Sequence, residues 1–437
     1  MPTQIDLLIH SASQLLTLSG GPQRGEALGN LGLIEDGAVA VHEGRIVAVG
    51  KTADLRTQFA PHFTLDASGS IVLPGFVDPH THAVWAGDRA DEFEMRLAGK
   101  SYMEIMNAGG GIMCTVRKTR AASVEQLMTE TRARLQRMLA YGSTTIEVKT
   151  GYGLEAETEL KLWDVIGRLH EEGPWDLVPT FLGAHAIPAE YKGREDAYVD
   201  LVVNDMLPAI SDTQYAIRDR PRFADVFCEE GAFTVEQSRR ILEKAKALGF
   251  QLKIHADEFV SLGGTAMGVE LGAVSADHLV FTPQADIAAL GKSNTVAVGL
   301  PCTPFGLGQK EYTPAKDFLA AGGLLAIASD CNPGTGWCES MQFVIALACR
   351  YMKLTPAQAI AAATINAASA VGMSERVGSL EPGKQADVLI LDAPAYQHLG
   401  YRFGVNLVKT VVKKGKVVTS SPQAISSLTA RHVSPPR

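Results

Sequence analysis

The sequence has no CxxC pair, no block of five or six like charges and no long hydrophobic run, and each gap removes a class of protein. Its six cysteines, Cys114, Cys228, Cys302, Cys331, Cys338 and Cys349, are scattered, so neither a disulfide framework nor a thiolate zinc site is expected. Apolar stretches such as residues 322–329 and 341–349 fall well short of the roughly 20 residues that cross a bilayer, which predicts no membrane span. Basic residues are outnumbered, 40 Lys plus Arg against 48 Asp plus Glu, and a net charge of -8 carries no nucleic-acid footprint. Asp6 is the only early charge and no apolar run ends in a small-residue cleavage site, so no secretory leader is expected and the location is read as cytoplasmic.

What is present is the composition of a globular protein, 46% hydrophobic and 20% charged over 437 residues. The two ends share a texture. Residues 37–51 alternate apolar side chains around Glu43-Gly44, and residues 407–420 do so around Lys414-Gly415, both readable as β-hairpins. A lone hairpin is marginal in water, so residues 1–73 and 376–437 are expected to pair into one small β-sandwich domain. Residues 74–375 alternate short apolar runs with helical stretches such as 123–142 and 234–250. The candidate strands, 71–82, 143–153, 176–185, 224–230, 251–258, 273–279, 295–301 and 324–334, number the eight of a (β/α)8 barrel in an α/β chain.

In such a barrel the chemistry sits at the C-terminal ends of the strands. His80 and His82 alternate on an extended segment and so project to one face, a weak signal alone. It gains weight from His255, His278 and Asp330, each closing an apolar run where a neutral turn residue would be ordinary. Neutral imidazoles with one carboxylate suit a divalent zinc or iron ion; magnesium and calcium prefer oxygen ligands.

These residues sit in the stretches PGFVDPHTHAVWAGDR, AGGGIMCTVRKTRAAS, RMLAYGSTTIEVKTGYGLE, LGAHAIPAEY, LKIHADE, AVSADHL and SDCNPG. Together they resemble the amidohydrolase superfamily and, within it, the imidazolonepropionase family of ring-opening enzymes in histidine degradation. The HxH pair and strand-end residues carry the broader resemblance; KTGYGLE, GAHAIP and HADE carry the narrower one, which spans most of the chain. It implies hydrolysis of the cyclic amide of 4-imidazolone-5-propanoate to N-formimidoyl-L-glutamate by a homodimer. It also implies His80, His82, His255 and Asp330 as metal ligands and Arg89, Tyr152, His185, Glu258, Asn332, Gly334 and Thr335 as substrate contacts. Glu258, His278 and Asp330 are the candidates for proton transfer and carbonyl polarisation, without a division of roles.

Many relatives bridge two metals with a carboxylated lysine at the end of strand four. Here that strand ends in Cys228, Glu229 and Glu230, while Lys149 lies on strand two, so one metal per chain is expected. Arg89 is the candidate partner of the substrate's propanoate, because a guanidinium binds a carboxylate through two parallel hydrogen bonds. The chain departs from the family pattern at Cys331, in GTGWCES and in LPCTPFGLG, which bears on the loops after strands seven and eight. Gly109-Gly110-Gly111 lacks a following GK[ST] and reads as a loop over the barrel mouth, and Arg120 as a solvated helix residue. Two rivals remain at this point. A heterocyclic-base deaminase offers Arg89 no carboxylate to bind, and a non-catalytic scaffold would not keep candidates for every ligand.

Overall fold

Two kinds of hydrophobic pattern produce two sheets in the computed structural model, which describes residues 2–100, 104, 110–213, 220–420 and 428–430. The terminal segments give β1 (Thr3–Leu16), β2 (Leu33–His42), β3 (Arg45–Lys51), β4 (Phe59–Asp66) and β5 (Ile71–Pro74). The middle gives β6 (Phe76–Asp78), β7 (Ser143–Lys149), β8 (Asp176–Ala184), β9 (Phe223–Cys228), β10 (Gln251–Ala256), β11 (Ser275–His278), β12 (Val296–Gly299) and β13 (Leu324–Ile327). The chain then returns with β14 (Val388–Leu391), β15 (Val408–Lys413), β16 (Lys416–Ser420) and β17 (Leu428–Ala430).

The terminal sheet runs β16-β15-β14-β5-β1-β2-β3, with β4 and β17 paired off that path. β1 carries it: a register shift between Ile9 and Ala12, with Ser11 at φ 62, lets its first half pair with β4 and its second half with β5. Both expected hairpins form. Glu43 and Gly44 turn at φ 50 and 75, and Lys414 and Gly415 at φ 49 and 75, the doubly positive geometry of a tight two-residue turn. One apolar cluster joins Ile9 and Val39 from the first end to Val388 and Val412 from the last.

The other sheet is parallel in sequence order from β6 to β13. Its strands β7 and β8 are buried at every position, as expected where helices cover one face and a filled barrel the other. The stretch 71–82, read as one strand, divides instead between the two sheets. Gly75 is the joint, because a Cβ there would lie 2.2 Å from Thr144 Oγ1. The covering helices start as their sequences suggest: Ser123 caps Val124–Ala140 by accepting the Gln126 N–H, and Thr234 with Gln237 forms a reciprocal capping box on Val235–Ala247. Among the described residues no helix is long and apolar enough to cross a membrane, and all six cysteines are free.

The barrel closes where the chemistry is expected. Thr81 bridges Cys331; the Asp330 N–H reaches the His80 carbonyl at 3.1 Å, and the His82 N–H the Cys331 carbonyl at 3.0 Å. Backbone pairing thus sets the HxH segment against the residue that closes the last strand.

Candidate metal centre

Among the described residues, two overlapping sets, His80/His255/His278 and His80/His82/Asp330, bring ligand atoms within 4.8 Å of one another. Asp330 Oδ1 stands 3.4 Å from His82 Nε2 and 3.6 Å from His80 Nε2, and His255 Nε2 stands 3.5 Å from His82 Nε2. All four residues are buried. Burial drives the imidazoles of His80 and His82 well below their usual pKa, with Lys149 and the neighbouring histidines adding to it, so both rings are in the neutral form that ligates a metal. His80 Nε2 and Asp330 Oδ1 are buried side by side with no hydrogen-bond partner. A neutral imidazole nitrogen and a carboxylate oxygen in that position suit a divalent cation, so the residues present fit the metal that their pattern suggests.

The candidates for proton transfer face this cluster. Glu258 Oε2 lies 3.5 Å from His278 Nε2, and the His278 ring packs against those of His80 and His255 at 5.5 and 5.2 Å. Burial lifts the Glu258 carboxyl well above the carboxylate range, helped by Asp330 and Glu229. Burial takes His278 down to about 3, against the pull of Asp330. His278, Leu279 and Asp330 all have positive φ, 79, 59 and 50, a conformation that L residues rarely adopt and that recurs at functional sites.

The substrate-contact candidates form the rim. Tyr152 is buried and packs 5.3 Å from His185, whose ring stacks on His82 at 4.8 Å. Arg89 donates from Nε and Nη2 to Glu92 Oε2 at 2.9 and 2.7 Å, and its guanidinium lies over Gly334. Asn332 spends its side chain inside its own loop, donating to the Asp330 carbonyl and accepting the N–H groups of Gly334 and Thr335. It therefore shapes the rim by holding Gly334 and Thr335 in place.

Several residues with a visible role had no signal in the sequence. Thr303, in the segment after β12 that departs from the family pattern and forms the short helix Cys302–Leu307, donates to Asp330 Oδ2. Glu229 accepts the N–H groups of Glu258, Phe259 and Val260, each at 3.0 Å. Glu159 does the same for Gly151, Gly153 and Leu154 on either side of Tyr152. Arg120 is not the solvated helix residue its surroundings suggest: it donates to the Gly153 carbonyl at 2.7 Å and pairs with Glu190. In the glycine run, Gly109 lies outside the described residues, while Gly111, at φ 75, gives its N–H to Glu92 Oε1 at 3.0 Å.

With the geometry in place, comparison with known proteins identifies the lineage. A profile described as amidohydrolase family matches residues 71–418, and one described as imidazolonepropionase-like composite domain, bacteria, matches residues 37–60. A curated imidazolonepropionase of Herpetosiphon aurantiacus is 54% identical over 94% of this chain and 97% of its own length. The chain belongs to the imidazolonepropionase family of amidohydrolases. The imidazolonepropionase of Geobacillus kaustophilus is 47% identical over 95% of this chain and 98% of its own. As a member of that family the chain is a hydrolase. Among solved structures, an adenosine deaminase from Xanthomonas campestris with bound zinc superposes with a TM-score of 0.72 at 21% identity, over 98% of this chain and 97% of that one. An E. coli guanine deaminase superposes at 0.70 with 14% identity, over 95% and 99%. At these identities the two deaminases support the fold alone, the barrel with its flanking sheet.

Proposed function

We propose that this chain hydrolyses the cyclic amide C–N bond of 4-imidazolone-5-propanoate, giving N-formimidoyl-L-glutamate, the third step of histidine degradation. The carrying observation is the near full-length identity to curated imidazolonepropionases in a chain whose strand ends gather His80, His82, His255 and Asp330 beside Glu258 and His278. Those four residues would hold one divalent ion, zinc or iron. Such an ion, when bound, supplies a Lewis acid that brings the pKa of water toward neutrality.

The protein's own groups divide the remaining work. Asp330 takes a proton from the attacking water, its Oδ1 facing the histidines as the ligand atom and its Oδ2 oriented by the Thr303 hydroxyl. Glu258, beside His278 and held by Glu229, carries a proton to the ring nitrogen that leaves. His278, neutral, donates an N–H to the attacked carbonyl and stabilises the negative charge that develops there. Arg89 binds the propanoate, and Tyr152 and His185 line the ring, with Asn332, Gly334 and Thr335 contributing beside Arg89. The protein is read as a cytoplasmic homodimer, which sedimentation of the purified chain would test.

The experiment is the ultraviolet decay of freshly made 4-imidazolone-5-propanoate with and without protein, corrected for spontaneous loss. Protein-dependent loss with formimidoylglutamate as product is the expected result. No acceleration by metal-loaded protein would end the reading, and elemental analysis finding two metals per chain would end the single-ion part of it.

A further inference from the structure

Beneath the histidines the barrel interior holds six ionisable side chains that the proposed chemistry does not use. They are Asp78, Glu147, Lys149, Asp225, Lys253 and Asp277, each at most 1% exposed. Lys149 is the lysine that the sequence puts on the wrong strand to bridge two metals. Its ammonium is pinned 2.7 Å from Glu147 Oε1 and 2.8 Å from Asp225 Oδ2. Lys253 donates to Ser275 Oγ at 2.6 Å and lies 3.4 Å from Asp277 Oδ2.

Each ion pair presents a carboxylate to one imidazole of the cluster above. Asp277 Oδ2 is 2.6 Å from His80 Nδ1, and Asp225 Oδ2 is 3.0 Å from His255 Nδ1. The first is a short aligned hydrogen bond; the second is a close contact off the hydrogen-bond direction, so Asp225 acts there through charge and ring placement. Glu147 completes the layer from the backbone side. It accepts the Thr81 N–H at 3.0 Å, while the Thr81 hydroxyl donates to its carbonyl at 2.6 Å, clamping the residue between His80 and His82.

A neutral imidazole has one N–H and one lone pair. A carboxylate at Nδ1 claims the N–H and turns the Nε2 lone pair the other way, here toward Asp330 and His82. Two buried carboxylates alone would be costly inside a barrel, and the two lysines offset their charge without reaching the rings. We propose that the Lys149–Asp225 and Lys253–Asp277 pairs are positioning residues, a charged platform that fixes the tautomer of His80 and the orientation of His80 and His255 so that their Nε2 atoms are preset for a metal. The inference rests on the reading that these histidines hold one.

The test uses the full-length protein and does not depend on turnover. In metal-stripped wild type labelled with 15N-histidine, long-range proton–nitrogen spectra should show His80 with its proton on Nδ1; a proton on Nε2 overturns the proposal. Asp277→Asn should weaken zinc affinity, read by chelator competition, by about 10–100-fold and change the visible spectrum of the cobalt form. Asp225→Asn should lower affinity in the same direction. Zinc affinity within twofold of wild type and an unchanged cobalt spectrum in Asp277→Asn would reduce the layer to core filling. If Asp277→Asn does not fold, the wild-type tautomer decides alone. Wild type that binds no zinc or cobalt at all sinks the metal reading itself, an outcome distinct from tight binding that the variants leave untouched.

Discussion

Arg89 shows how much one missing side chain can matter. A Cβ on Gly334 would lie 2.2 Å from Arg89 Nη1, so any other residue there must push the guanidinium aside. The guanidinium is the far end of a flexible chain and can move, so Gly334→Ala should leave the thermal midpoint and metal content near wild type. It should raise KM by about tenfold or more, the scale of one lost charge-assisted hydrogen bond. Unchanged KM in that variant would remove Arg89 from the carboxylate site. Thr303 makes the complementary case. Thr303→Val keeps the shape and deletes only the hydrogen bond to Asp330 Oδ2, so the carboxylate is free to rotate. The expected result is a kcat lower by about tenfold with KM little changed, because the bond is charge-assisted and serves the reacting carboxylate alone. A rise in KM alongside the lower kcat would instead mean that Thr303 shapes the substrate pocket.

At the scale of strands and loops, the barrel was legible because its strands are buried on both faces and end in residues that a packed core would not choose. His255, His278 and Asp330 stand out for that reason, and the backbone pairing of residues 80–82 with 330–331 brings the two ends of the barrel together. The supports were not legible. Glu229 looked like a strand end lacking a lysine, yet it works on a loop 29 residues away, where both of its oxygens collect N–H groups. Asp225 sits one strand over from His255, and Asp277 reaches from β11 to His80 after β6, so no local period reveals either partner. Likewise, the break of stretch 71–82 at Gly75 follows from a tertiary approach to Thr144, which the apolar run conceals. Glu229→Gln tests the loop directly. A glutamine has one oxygen for the three loop N–H groups and that of Glu230, and turns an NH2 toward the rest, so residues 258–260 should exchange amide hydrogen faster and kcat should fall while metal content holds. Unaltered exchange at those amides would show that the loop is held by packing.

Across the whole molecule, barrel and terminal sheet meet through a buried ion network at the end of the barrel where β8 begins. Asp176 accepts from Arg220 at 2.6 Å and from Lys413 at 2.8 Å, and Gln385 joins at 2.7 Å; Lys413 also reaches Asp387 at 2.6 Å. Burial alone would raise the Asp176 carboxyl, but Lys413 and Arg220 outweigh it and hold it well below the usual carboxylate range. A carboxyl depressed in the native state stabilises fully above its unfolded value, about pH 4, and that contribution is lost as pH falls from there toward the native value. Acid should therefore loosen the junction between the two sheets, and protons also compete with a bound metal for its ligands. To separate the two effects, Asp176→Asn is compared with wild type by urea unfolding of the metal-stripped protein. At pH 7 the variant should be less stable by about 3 kcal/mol, the lower end for breaking a buried pair, because the charged contacts of Arg220 and Lys413 to Asp176 are both lost. Between pH 4 and pH 3 the gap should shrink, since wild type is then losing the same interaction. A gap that stays constant with pH would mean that Asp176 contributes through its hydrogen bonds to Gln385 and Arg220 and not through its charge.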